Sequence, residues 1–154
     1  MVDSTPPERA ALRQREIENQ LAGLRSPIPG ARTAAARRLG DLQAGSEALL
    51  AALGDPYENV RSAAAQALGG FSGSENASEI IDALLSAIDD PSEKVCQAAI
   101  RSLGTMHAEE ARPEIEEFLN DPNPFIAGAA ILSLARLGAG DQAAYLASFL
   151  KYEN

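Results

Sequence analysis

Residues 55–69 read Asp55-Pro56-Tyr57-Glu58-Asn59-Val60-Arg61-Ser62-Ala63-Ala64-Ala65-Gln66-Ala67-Leu68-Gly69, and the fold follows from the return of this stretch elsewhere in the chain. Related stretches start at Ser26-Pro27, Asp90-Pro91 and Asp121-Pro122, so the starts lie 29, 35 and 31 residues apart. With each start counted as zero, position five is Ala31, Val60, Val95 or Ile126. Positions eight and nine are Ala34-Ala35, Ala63-Ala64, Ala98-Ala99 and Ala129-Ala130. Position thirteen is Leu39, Leu68, Leu103 or Leu134, and position fourteen is Gly40, Gly69, Gly104 or Ala135. Position sixteen is Leu42, Phe71, Met106 or Leu137.

At 100° per residue, positions five, eight, nine, twelve and thirteen share one arc, so each stretch predicts an amphipathic helix. The acidic or hydroxyl residue before proline suits an N-cap and first turn. Glycine at position fourteen suits a left-handed helix end. Upstream of each start, Leu24, Leu53, Ile88 and Leu119 sit two residues back, and Leu21, Leu49, Leu50, Leu84, Leu85 and Ile115 complete another helical face. Each unit is therefore a first helix, a proline turn and a second helix, and it buries its apolar side only by stacking on neighbours. The expected class is all-α, an α-solenoid of about four helix-turn-helix units in one domain over 8–152. The units run approximately 8–42, 43–73, 76–107 and 109–138, followed by a capping helix at 141–152, with 1–7 as a disordered tail.

The stretch from Asp55 to Gly69 closely resembles a HEAT repeat, in the short variety named after phycobilisome lyases, and the resemblance covers Glu8 to Tyr152. It implies a solenoid whose second helices line a concave surface. It also implies an arginine six positions after the start that bonds the turn aspartates along the stack. Arg32 and Arg61 hold that place, with Asp55, Asp90 and Asp121 as the turn acids, but Cys96 and Ala127 replace the arginine in the last two copies. The implied ladder should therefore fade toward the C-terminus. The family spans scaffolds, chromophore lyase subunits, a metal-dependent hydroxylase and DNA glycosylases, and fold alone does not choose among them.

Composition narrows the choice. The chain has 154 residues, 45% of them apolar and 5% aromatic, with a formal charge of −9. It is long enough to bury a core, and it has no apolar run that would span a bilayer, so no membrane partner is expected. Met1 to Pro7 has neither the basic start nor the apolar centre of a signal peptide, and a single cysteine fits a reducing cytoplasm. Up to residue 40 the balance is seven arginines against four acids; beyond it, six basic residues face eighteen acidic ones. A phosphate-tracking groove needs positive charge along its length, which argues against a nucleic-acid partner. Arg32, Arg37 and Arg38 read as charged cap residues.

The chemical motifs are thin. A diiron site needs several His and Glu ligands, and His107 is the single histidine, so no metal or other cofactor is expected. Gly138-Ala139-Gly140-Asp141-Gln142-Ala143 spells a dinucleotide fingerprint, but a helix rather than a strand precedes it. Gly70-Phe71-Ser72-Gly73-Ser74 has the look of a nucleophile elbow yet lies between helices, and Asn76-Ala77-Ser78 reads as a helix cap. Cys96, in the first turns of a helix, should have a somewhat lowered pKa, although Lys94 is its one basic neighbour and a packed structural thiol is the simpler reading. No catalytic residue emerges.

What remains is surface. Positions seven, ten and eleven of the second helix point off the packed arc, and the resemblance to HEAT repeats implies that this face lies in the concavity, whose C-terminal half would then offer the apolar Ile100, Phe125, Ile131 and Leu132 beside Arg101. Tyr145, Phe149 and Tyr152 form a further stripe on the final helix, beside Leu146 and Leu150, and could support weak self-association. The expected function is a non-enzymatic scaffold or adaptor that binds a protein partner through the second helices and the C-terminal end. The alternative is a phycobilin lyase-like, chromophore-handling subunit that works with a partner.

Overall fold

The computed structural model describes residues 5–138, all helical or turn, with no strand among them. Eight helices follow one another: α1 (Pro6–Gly23), α2 (Pro29–Leu42), α3 (Ser46–Ala52), α4 (Glu58–Leu68), α5 (Ala77–Ala87), α6 (Glu93–Thr105), α7 (Arg112–Glu116) and α8 (Pro124–Arg136). Short 3₁₀ turns at Glu109–Ala111 and Glu117–Asn120 flank α7, so the last first helix is a broken one, with Pro113 in its opening turn. The even-numbered helices stack side by side in chain order, and each odd-numbered helix packs on its own partner. The result is a two-layer array, the expected solenoid. Its opening helix starts at Pro6, so residues 6 and 7 belong to the array and not to a disordered tail. The expected capping helix at 141–152 lies outside the described residues.

The proline turns work differently from the N-cap expected. Asp55, Asp90 and Asp121 each accept the backbone N–H two residues on, at 2.9, 2.8 and 2.8 Å, and the Ser26 hydroxyl does the same at 3.2 Å. The carboxylate thus closes an Asx turn. The helices begin three residues after the start, at Pro29, Glu58, Glu93 and Pro124. Of these four helices only α8 is capped by its N-cap side chain, Asn123 accepting from Phe125 N–H at 2.9 Å.

Glycine at position fourteen is not a left-handed terminator either. Gly40 and Gly104 are inside their helices, and Gly69 has φ −58°. The left-handed residues that follow the second helices come at position seventeen: Gln43 (φ 47°), His107 (φ 54°) and Gly138 (φ 65°). At Gln43 and His107 the paired bonds Ala44 N–H to Leu39 O and Ala108 N–H to Leu103 O complete Schellman ends. The glycines instead admit the next helix. A Cβ on Gly40 would lie 2.8 Å from Ala67 Cβ, one on Gly69 2.8 Å from Ser102 Oγ, and one on Gly104 2.6 Å from Ser133 Cα. Position fourteen of one helix therefore receives position twelve of the next, and the alanines at positions eight to ten let both backbones close in.

Two side-chain ladders hold the stack. Arg32 donates to both carboxylate oxygens of Asp55, at 2.7 and 3.0 Å, and to Ser26 O. Arg61 repeats this on Asp90, at 2.8 and 2.9 Å, and on Asp55 O. The bidentate bonds hold both aspartates below the usual carboxylate range. The second ladder is neutral and fully buried: Ser102 Oγ donates to Ala65 O at 2.7 Å, and Ser133 Oγ to Ile100 O at 2.8 Å.

Candidate second-helix binding face

Each interior second helix has a neighbour on both flanks and a first helix behind it, so little of its circumference reaches solvent. Position ten, expected in the groove, is buried in every copy: Ala36, Ala65, Ile100 (0% exposed) and Ile131 (7%). Ile100 and Ile131 are therefore packing residues rather than contact residues. One helix's periodicity locates the side facing the other layer; it does not show that the flanks are covered as well.

The exposed stripe runs through positions four, eleven and fifteen, with the half-buried position seven among them. Position eleven carries Arg37, Gln66, Arg101 and Leu132, all exposed, and position fifteen carries Asp41, Gly70, Thr105 and Arg136. Leu132 is 53% and Phe125 71% exposed, two turns apart on the same side of α8. Across the stripe, Ser62 Oγ donates to Lys94 O and Gln97 Nε2 to Phe125 O, both at 3.3 Å, which fixes the spacing of neighbouring helices.

Two adjoining clefts follow the seams. One, of about 500 Å³, is lined by Arg37, Gly40, Asp41, Ala63, Gln66, Ala67 and Gly70. The other, of about 260 Å³, has Arg101 and Arg136 on its walls above Gly69, Gly70, Ala98 and Ser102. Gln66 and Gly70 border both, so the clefts form one trough. Arg136 was missing from the expected site; its signal was its place one helical turn beyond Leu132. Phe125, Leu132 and Arg101 share this face, whereas Tyr145, Phe149 and Tyr152 lie outside the described residues.

The remaining candidates are structural. His107 ends α6, and its Nδ1 lies 3.2 Å from Arg136 O. Cys96 sits where the ladder would place an arginine, and burial, with Asp121, Asp89, Asp90 and Glu93 nearby, pushes its thiol up to about 11 rather than down. Asn76 does not cap α5 with its side chain; it exchanges hydrogen bonds with Ser46 at the start of α3, at 3.1 and 3.3 Å. Phe71 of the elbow-like stretch is buried, and Gly138 of the fingerprint terminates a helix. Arg32 is in the ladder, Arg38 pairs with Glu16 at 2.6 Å, and Asp121 accepts Asn123 N–H without an arginine. No group of three or more His, Cys, Asp or Glu side chains that could hold a metal occurs among the described residues. No helix among them is long and apolar enough to cross a membrane.

Comparison with known proteins agrees with this geometry. HEAT-repeat family models match residues 47–73 and 81–154. No curated protein matches the chain. The complex of CpcE and CpcF of phycocyanin lyase from Nostoc sp. PCC7120 is similar at 22% identity and TM-score 0.57, over 88% of this chain and 69% of that one. An engineered protein aligns at 20% identity and TM-score 0.63, over 93% and 70%. A designed armadillo repeat protein aligns at 20% and 0.61, over 88% and 69%. At these identities the shared property is the fold, a stack of helical repeats. With its proline-turn helix pairs, and with HEAT-repeat models matched over 47–73 and 81–154, the chain belongs to the HEAT-repeat family.

Proposed function

We propose that this chain is a non-enzymatic interaction scaffold that receives a partner protein on the exposed stripe of α4, α6 and α8. The observation that carries the reading is the pair Phe125 and Leu132, large apolar side chains left mostly in water on one side of α8. Scattered apolar residues are ordinary on a surface, but two aligned on a grooved face make an anchor for a partner's side chains. Affinity capture from native extract with Phe125→Asp and Leu132→Asp tests it. Both positions are exposed, so the variants keep the wild-type helical melt and lose the captured partner. Capture that survives both substitutions overturns the assignment.

The second reading, a chromophore-handling subunit, draws on the likeness to the CpcE and CpcF complex. A designed armadillo protein is as similar in fold, so that likeness does not select pigment chemistry. Co-expression with a bilin and a phycobiliprotein subunit separates the two, because a scaffold yields no coloured adduct.

A further inference from the structure

The described arginines divide by partner. Arg13, Arg32, Arg38, Arg61 and Arg112 all donate to carboxylates or backbone carbonyls. Arg15, Arg25, Arg37, Arg101 and Arg136 have no side-chain hydrogen bond or ion pair among the described residues, and the last three line the trough. This is a chain of charge −9, yet among the described residues the one acid lining either cleft is Asp41, at the Arg37 end. Among the described residues the Arg101–Arg136 cleft has no acid, and its floor of glycine, alanine and serine leaves room for an incoming side chain. One turn before Arg136 stands exposed Leu132, with Phe125 beyond it.

From this charge complementarity we infer that the trough docks an extended acidic segment of a partner protein, whose carboxylate enters between Arg101 and Arg136 while a nearby apolar side chain rests on Leu132 and Phe125. The inference rests on the scaffold reading and names the chemistry of its partner. Neighbouring helices pack about 8–10 Å apart, and an extended chain advances about 3.3 Å per residue, so the acidic and apolar anchors are about three residues apart. Guanidinium groups suit carboxylates because their N–H fork matches the two oxygens. A polyanion such as nucleic acid fits less well, since the acidic body repels it beyond the trough and Leu132 and Phe125 would face phosphate.

The test uses the full chain and fluorescein-labelled Gly/Ser peptides. One carries paired glutamates with a leucine three residues on; its counterparts carry lysine for glutamate or serine for leucine. A single-stranded oligonucleotide of similar length completes the set. The glutamate–leucine peptide binds best by fluorescence anisotropy, the lysine peptide does not bind, and high salt weakens the complex. Arg101→Glu with Arg136→Glu weakens it about tenfold or more, the loss expected for a charge-assisted hydrogen bond. Equal binding of glutamate and lysine peptides, indifference to the charge reversal, or tighter binding of the oligonucleotide overturns the inference. Capture from extract separates the two levels. A partner retained by the arginine variant but lost with Phe125→Asp and Leu132→Asp leaves the scaffold intact and removes the acidic chemistry; a partner retained by both removes the face itself.

Discussion

Where α2 meets α4, the turn is pinned by charge: Arg32 grips Asp55 with two bonds and lies 5.4 Å from the centre of the Tyr57 ring. Where α6 meets α8, the same position is Cys96, and the contact depends on Ser133 to Ile100 O, Asn123 to Glu93 at 2.7 Å and Gln97 to Phe125 O. The middle junction, α4 on α6, has both devices, Arg61 on Asp90 and Ser102 on Ala65 O. Charge thus gives way to neutral buried bonds along the array, while the glycine contact is common to all three. Backbone proximity is therefore what defines the stack, and the polar rungs fix its register. The end that lacks the arginine rung is also the end with Phe125 and Leu132 exposed.

The largest effect should come from the shared contact. Gly104→Ala puts a Cβ within 2.6 Å of Ser133 backbone, which helices can relieve only by moving apart. Overpacking of about 3 kcal/mol, less about 1 kcal/mol gained by alanine over glycine in a helix, leaves a loss of about 2 kcal/mol in urea denaturation. Gly128→Ala, on the same face but with open space around it, is neutral or slightly stabilising. A neutral Gly104→Ala would show that the close approach does not define the stack.

Next is the charged rung. Arg61→Met removes two bonds to Asp90 and those to Asp55 O and Pro56 O, a loss of about 2 kcal/mol at neutral pH. Asp90 is lowered chiefly by its bond to Arg61, so its folded pKa lies below its unfolded one. Its contribution is complete above the unfolded value, near about 4, and disappears as pH falls through the folded value. Wild-type thermal stability therefore drops across that acid window, and the Arg61→Met curve is flatter there. Parallel curves would mean that the rung carries little of the junction.

The neutral rung is smaller. Ser133→Ala forfeits the bond to Ile100 O, about 1 kcal/mol, and speeds amide exchange in α8. Ser102→Ala loses the equivalent bond, but the α4–α6 junction still has Arg61, so exchange there rises less. Equal acceleration in both would erase the distinction between a doubly and a singly pinned junction.

The repeat, its helix pairs and the positions of Arg32 and Arg61 were legible because they recur in register, and recurrence survives any error in reading a single helix. Three details were not. Glycine at position fourteen fits both a helix end and a close contact, and only the neighbouring helix decides between them. Ile100 looks free on a helical wheel because a wheel represents one helix, whereas α6 is flanked by α4 and α8, and Ile131 is likewise buried on α8, where α6 packs alongside. Ser102 and Ser133 occupy one column, position twelve, that holds Arg38 and Ala67 in the earlier copies, so the serine ladder has half a signal in the sequence. The trough shows the same limit: Arg101 was visible as a column member, while Arg136 joined it only once α6 and α8 were side by side.

The smallest expected effect is the most direct check on the contrast between the ends. Cys96 occupies the arginine position and faces Asp121, whose carboxylate already closes its Asx turn, as Asp55 and Asp90 do. With its pKa raised to about 11 by burial, the thiol stays protonated near neutral pH and does not pair with that acid. Cys96→Arg should build the third rung. A gain of up to about 1 kcal/mol is expected, because the new bonds are offset by loss of the packed thiol. Asp121 would then be held below its unfolded pKa, so the gain is present at neutral pH and lost in acid, and the variant's melting temperature falls more steeply than wild type below about pH 4. Cys96→Ala is the control and acquires no such slope. If Cys96→Arg destabilises at every pH, the α6–α8 junction is not spaced like the other two, and its lack of an arginine reflects geometry rather than substitution within an unchanged frame.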